Sequence, residues 1–136
     1  MNMWATALKQ LRVACLLCCG VAAALVGGNA VAHHSFAMFD TATKVTLKGT
    51  VKEFQWTNPH IFLELTVPGE KGSENWSIEG ASPNMLFRMG WKPDSFKAGD
   101  ELTVVVNPLR SGGKGGSFVY ATLPNGQVLG TVGYKP

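Results

Sequence analysis

The chain has 136 residues, of which 46% are apolar, 10% aromatic and 15% charged. This length suits one domain. The low charge and the 16 glycines argue against a coiled coil, and the apolar fraction argues against wholesale disorder. The formal net charge of +3 is too small to predict a nucleic-acid partner.

Residues 1–32 have the pattern of a secretory signal peptide. Lys9 and Arg12 supply positive charge, residues 13–28 are apolar or small without interruption, and a small-x-small triplet ends at Ala32. The apolar run falls short of the roughly 20 residues that a membrane-spanning helix needs. We therefore predict cleavage after Ala32, a periplasmic or secreted protein, and no stable membrane span after cleavage. An uncleaved anchor and cleavage after Ala30 stay open as alternatives.

The cysteines bear on the chemistry of the mature chain, predicted as residues 33–136. All three lie in the segment to be removed: Cys15, Cys18 and Cys19. The mature chain would therefore have no disulfide, no thiolate metal site and no cysteine nucleophile. Its net charge would be +1, because Lys9 and Arg12 are the charged residues that leave with the signal. This near-neutral charge predicts no specific electrostatic partner.

An N-terminal arm, residues 33–43, would begin with two histidines. A terminal His33 presents its amine and its ring nitrogen in one chelate, and His34 or His60 would supply a further nitrogen. Copper(II) prefers nitrogen ligands and binds more tightly than the other divalent first-row transition metals. Met38 would be a soft ligand for copper(I). Copper is therefore the candidate cofactor. The alternative is a pair of histidines at a fraying terminus that binds nothing specifically.

Residues 44–136 have the pattern of a small β-barrel. Alternating apolar and polar side chains predict strands over 45–55, 61–67, 75–79, 101–107, 117–123 and 127–132. Gly49, within the first strand, indicates a bend of the kind that barrels require. Ser82 as N-cap, Pro83 at the first helical position and Gly90 as a stop predict one short helix over 83–89.

This order of elements is typical of an OB-like barrel with five to six strands and one short helix between strands 3 and 4. An immunoglobulin-like sandwich and an open α+β sheet are the alternatives.

In an OB-like barrel, the loops between strands 1–2 and 4–5 border the usual binding face. Here they correspond to residues 56–60 and 108–117. The candidate ligand-binding residues from these loops are Trp56, Asn58, His60, Arg110 and Lys114. An aromatic ring beside cations can stack a sugar or a base, or hold an anion. The alternative is a core role for Trp56 and a merely connecting glycine loop.

The sequence favours a non-catalytic protein. It has no Gly-x-Ser-x-Gly motif, and its carboxylates are scattered over predicted outer faces and turns. We therefore predict an exported periplasmic binding or accessory module for a small molecule, a glycan or a periplasmic protein. A periplasmic copper-binding protein that uses His33 with His34 or His60 is the alternative.

Three motifs resemble those of a known family. They are His33-His34-Ser35-Phe36, Trp56-Thr57-Asn58-Pro59-His60 and Gly80-Ala81-Ser82-Pro83. The chain resembles a family of short exported bacterial proteins that is defined as a domain of unknown function, and the resemblance covers nearly the whole mature chain. It implies secretion to a Gram-negative periplasm and carries over no activity.

Overall fold

The computed structural model describes residues 36–131 and Tyr134. The predicted signal peptide, His33 and His34 lie outside the described residues. A 3-10 turn over Phe36–Met38 precedes six strands and one α-helix in this part of the chain: β1 Val45–Gln55, β2 Phe62–Gly69, β3 Gly72–Glu79, α1 Pro83–Arg88, β4 Glu101–Pro108, β5 Gly115–Thr122 and β6 Val128–Gly130. Within these residues, no helix has the length and apolar character needed to cross a membrane.

The sheet closes on itself. Its strand order is β3-β2-β1-β4-β5-β6, and an additional parallel pairing joins β3 to β5. In that pairing Ser77, Ile78 and Glu79 lie opposite Gly115, Gly116 and Ser117. The result is a closed barrel of five strands with β6 added beside β5 and α1 between β3 and β4. The predicted OB-like barrel is confirmed, and closure excludes the sandwich and the open sheet.

Strand β1 is long because it pairs with two neighbouring strands. Its first half pairs with β4 and its second half with β2, with an irregularity between Val51 and Glu53. Gly49 lies just before the exchange of partners, where an added Cβ would lie 2.7 Å from the carbonyl oxygen of Thr66. The absence of a side chain at Gly49 therefore lets the two neighbouring strands approach each other, as the predicted bend requires.

The barrel interior is filled by the apolar side of the alternating strands. Its fully buried members include Ile61, Leu63, Leu65, Ile78, Val104 and Val106. One end is filled by Leu86 of α1 and by Trp91, which follows the helix. The helix ends where the N–H groups of Met89 and Gly90 bond back to its last carbonyls, and Gly90 takes a φ of 90° that favours glycine.

Two strands begin earlier than the apolar pattern predicts. β3 starts at Gly72, because its polar first residues continue the antiparallel ladder with β2 after the turn at Glu70 and Lys71. β5 starts at Gly115, inside the segment expected to be a glycine loop, and Gly115 and Gly116 are buried. Both glycines belong to the ladder that closes the barrel.

Replacing Gly116 by alanine should destabilise the barrel. Its Cβ would lie 2.6 Å from the carbonyl oxygen of Asn107, a backbone atom that cannot move without disturbing β4. We expect the free energy of unfolding to fall by about 2–3 kcal/mol, as for overpacked cores. Gly113→Ala is the matched control, since its nearest atoms would be 3.5 Å away. Urea denaturation measures both; equal stabilities would contradict this account of closure.

Candidate functional site

The N-terminal arm lies along the β4–β5 loop. Phe39 is buried and forms an isolated antiparallel bridge with Leu109. The N–H of Asp40 donates to the carbonyl of Pro108 at 2.8 Å, and the N–H of Arg110 donates to the carbonyl of Met38 at 2.9 Å. The arm is therefore held by backbone hydrogen bonds and by one buried aromatic ring.

The side chain of Arg110 adds to this attachment. Its Nε donates to the carbonyl of Ala37 at 3.2 Å, and its guanidinium nitrogen lies 3.9 Å from the carboxylate of Asp40. A hydrogen bond from the Thr43 hydroxyl lowers the pKa of Asp40 below its ordinary value, with smaller contributions from the Ala42 N–H and from Arg110. The Asp40 carboxylate thus stays ionised at neutral pH and faces the cation.

His60 lies beside Phe36, the first described residue of the arm. Its Nδ1 contacts Oε1 of Glu79, and its ring meets that of Phe36 edge-on, with centroids 6.3 Å apart. The ladder between β2 and β3 produces the first contact, because Phe62 lies opposite Glu79 and His60 precedes it by two residues. An imidazole whose Nδ1 faces a carboxylate presents Nε2 to a ligand in a fixed orientation.

The arm therefore connects two of the predicted ligand-binding residues. Phe36 contacts His60, and Ala37 and Met38 are bonded to Arg110. We call His60, Glu79, Phe36 and Arg110 the arm site. Sequence reasoning missed Glu79, because its place on an outer face looked like ordinary solubility.

The other three candidates have different surroundings. Trp56 is half-buried, packs against the core and meets the Phe54 ring edge-on at 5.9 Å. Asn58 is exposed. Lys114 points its Nζ at the carboxylate of Glu74 at 2.8 Å. Glu74 and Glu79 are five residues apart on β3, which corresponds to roughly 16 Å, so Lys114 does not join the arm site. A ligand-binding role for these three stays a prediction.

Only some of the predicted metal ligands are among the described residues. His33 and His34 lie outside the described residues, and Met38 has an exposed side chain. Across residues 36–131, no group of three or more His, Cys, Asp or Glu side chains is arranged to hold a metal ion. Among the described residues, His60 is a predicted copper ligand whose surroundings resemble those of a metal-binding histidine, through its contact with Glu79.

A further open cleft lies on the outer face of the barrel. Its volume is about 420 Å³, and its lining includes Lys48, Thr50, Glu101, Thr103 and Thr122 from β1, β4 and β5. Of the sequence-predicted site residues that the structure describes, none lines this cleft.

Together, the fold and these contacts define a small OB-like barrel in which an N-terminal arm bridges the β4–β5 loop and the histidine that follows the β1–β2 turn. Residues 21–118 match a family of unknown function, DUF6152, and the chain belongs to that family. The predicted resemblance to a domain of unknown function is thereby confirmed. No curated protein and no solved structure matched the chain.

Proposed function

We propose that this chain is an exported, periplasmic, non-catalytic binding module whose ligand site is the arm site. The arrangement that supports the proposal most is the attachment of consecutive arm residues to two different loops: Phe36 contacts His60, and Ala37 and Met38 accept hydrogen bonds from Arg110. In an OB-like barrel these two residues come from the loops that border the usual binding face. The charge, apolar run and small-residue triplet of residues 1–32 support export.

The arm site offers groups that suit a small polar or anionic ligand. The side chain of Arg110 is 59% exposed, so its guanidinium can donate to a further partner while its Nε holds the arm. His60 is 26% exposed in its side chain and is oriented by Glu79. A cation and an oriented imidazole next to an exposed aromatic ring, Phe36, give polar selectivity and apolar contact together.

Native mass spectrometry of protein released from the periplasm tests this function. We expect the signal to be removed, and a bound mass to be present in the wild type and lost in His60→Ala and in Arg110→Gln. Lys48→Gln is the control, since Lys48 is an exposed lysine outside the arm site. Retention of the signal peptide would contradict export, and an unchanged bound mass in both variants would contradict the site.

A second candidate function is copper binding by His60 with His33 or His34. The contact between His60 Nδ1 and Glu79 favours it. Metal-binding histidines generally donate their second ring N–H to a carboxylate, a carbonyl or water, which fixes the ring and strengthens the ligand nitrogen. In the sequence, the predicted mature terminus at His33 precedes Phe36 by three residues. In this alternative the copper would be held for storage, delivery or sensing.

Glu79→Gln should weaken Cu(II) binding by about 10–100-fold, the usual effect of losing the carboxylate behind a ligating histidine. His60→Gln should weaken it at least as much. Titration of the processed protein with Cu(II), followed by electron paramagnetic resonance, measures both. The matched control is Glu64→Gln, because the Glu64 carboxylate accepts from Ser77 on the neighbouring strand and does not contact His60.

The predicted terminus needs its own variant. One extra residue before His33 would separate the terminal amine from the histidine ring and should reduce the affinity further. Binding no tighter than that of an ordinary polyhistidine tag, or binding unchanged by all of these substitutions, would rule out the copper function while leaving the binding module to be judged by its own experiment.

A further inference from the structure

A lysine covers a tryptophan beside the pairing of β3 with β5, away from the arm site. Nζ of Lys114 lies 5.5 Å from the centre of the Trp76 ring and 2.8 Å from Oε2 of Glu74. Its backbone is fixed as well, because the N–H of Ser77 donates to the Lys114 carbonyl at 3.2 Å. A cation over the face of tryptophan is attracted by the ring quadrupole, and a carboxylate beside it adds a charge-assisted hydrogen bond.

Trp76 and Glu74, the two residues that the Lys114 ammonium contacts, can bind a further partner. Trp76 is buried, and among the described residues its Nε1–H has no hydrogen-bond acceptor. A buried donor without an acceptor is costly, and it can be satisfied by an accepting atom of a ligand but not by the ammonium group itself. The hydrogen bond from Lys114, together with its positive charge, holds the pKa of Glu74 below its ordinary value. Glu74 is therefore a permanent anion facing both groups.

Space for a ligand adjoins them. A cavity of about 490 Å³ is lined by Gly69, Glu70, Lys71, Glu74 and Lys114. This volume lies in the range of small-molecule sites. The backbone of Lys114 is held by the hydrogen bond from Ser77, but its side chain is 51% exposed. Rotation about the side-chain bonds can therefore move the ammonium aside while the backbone stays in place.

We propose that Glu74 and Trp76 form a binding site for an organic ammonium group, and that Lys114 fills this site with its own ammonium in the present structure. The carboxylate neutralises the ligand cation, the indole face supplies cation–π attraction, and the adjoining cavity takes the rest of the molecule. The second carboxylate of the cavity, Glu70, favours ligands that carry a second amine. This site is separate from the arm site and does not depend on the proposed function.

Lys114 then acts as an internal competitor. A ligand can bind only the fraction of molecules in which the lysine has moved away, so its apparent dissociation constant is raised by the inverse of that fraction. Lys114→Gln removes the competing cation, and binding of a simple amine should become about tenfold tighter.

The test uses n-butylammonium chloride, which reproduces the lysine side chain, with sodium chloride at equal ionic strength as the salt control. The readout is the indole N–H resonance of Trp76 in protein purified after export, assigned by its loss in Trp76→Phe. We expect a weak saturable shift in the wild type, a tighter one in Lys114→Gln, and none when Glu74→Gln is added. Circular dichroism confirms that each variant is folded.

Lys71→Gln is the matched control, because it removes the same charge from the same cavity but not from above the ring. It should leave the affinity near the wild-type value. The proposal is overturned if Lys114→Gln shows no saturable shift of the Trp76 resonance, if Glu74→Gln retains the shift, or if Lys71→Gln tightens binding as much as Lys114→Gln.

Discussion

Replacing Trp91 by alanine is expected to lower the free energy of unfolding by about 3–5 kcal/mol. Trp91 is 1% exposed and meets Phe96 and Phe118 edge-on, with ring centroids 5.4 and 5.0 Å away. Its indole N–H also donates to the carbonyl of Gly130 at 3.1 Å, which ties the residue after the helix to β6. Alanine would leave a cavity among these rings and an unsatisfied carbonyl on β6.

Urea denaturation followed by circular dichroism measures this loss, since Trp56 and Trp76 complicate a fluorescence signal. Trp91→Phe should be milder, because it keeps the aromatic packing and loses the hydrogen bond to Gly130. Phe87→Ala is the control at this end of the barrel: Phe87 is 66% exposed, and its loss should change stability by less than about 0.5 kcal/mol. A cost below about 1 kcal/mol for Trp91→Ala would mean that the rings do not form a packed plug.

The strands with strong alternation could be predicted closely from the sequence. β1 has the predicted bounds, because apolar residues such as Leu47 and Val51 alternate with exposed lysines. The polar start of β3 carries no such signal; it pairs because the tight turn after Gly69 fixes the register with β2. The burial of Gly115 and Gly116 could not be predicted either, because it depends on the approach of β3, which is distant in sequence.

The candidate site could likewise be predicted only where the local sequence determines it. His60 and Arg110 could be selected because their loops have known places in an OB-like barrel. Glu79 acquires its role only from the register that brings it beside His60. Lys114 was selected because it lies in the same loop as Arg110. The sequence does not show which way its long side chain points, and its partner Glu74 lies toward the opposite end of β3 from Glu79.

Phe39→Ala is expected to release the arm from the β4–β5 loop. Phe39 is 3% exposed, and it lies apart from the main core, so its truncation should act on the arm more than on the barrel. Removing a buried phenylalanine costs about 3–5 kcal/mol. When this loss falls on local opening of the arm, even about 3 kcal/mol corresponds to about a hundredfold faster exchange of the amide hydrogens that the arm protects. The relevant amides are those of Asp40 and Arg110.

Hydrogen exchange read by NMR separates release of the arm from global unfolding. In Phe39→Ala, exchange of the Asp40 and Arg110 amides should accelerate while amides in β4 keep their protection. Phe36→Ala is the control for the amide readout: it removes the contact with His60, but Phe36 is 58% exposed, and the Asp40 and Arg110 amides should keep their protection. Under the proposed function, Phe39→Ala should also weaken binding at the arm site with His60 and Arg110 intact. Wild-type ligand affinity in a protein whose arm is released would show that the arm is structural and that the ligand binds elsewhere on the barrel.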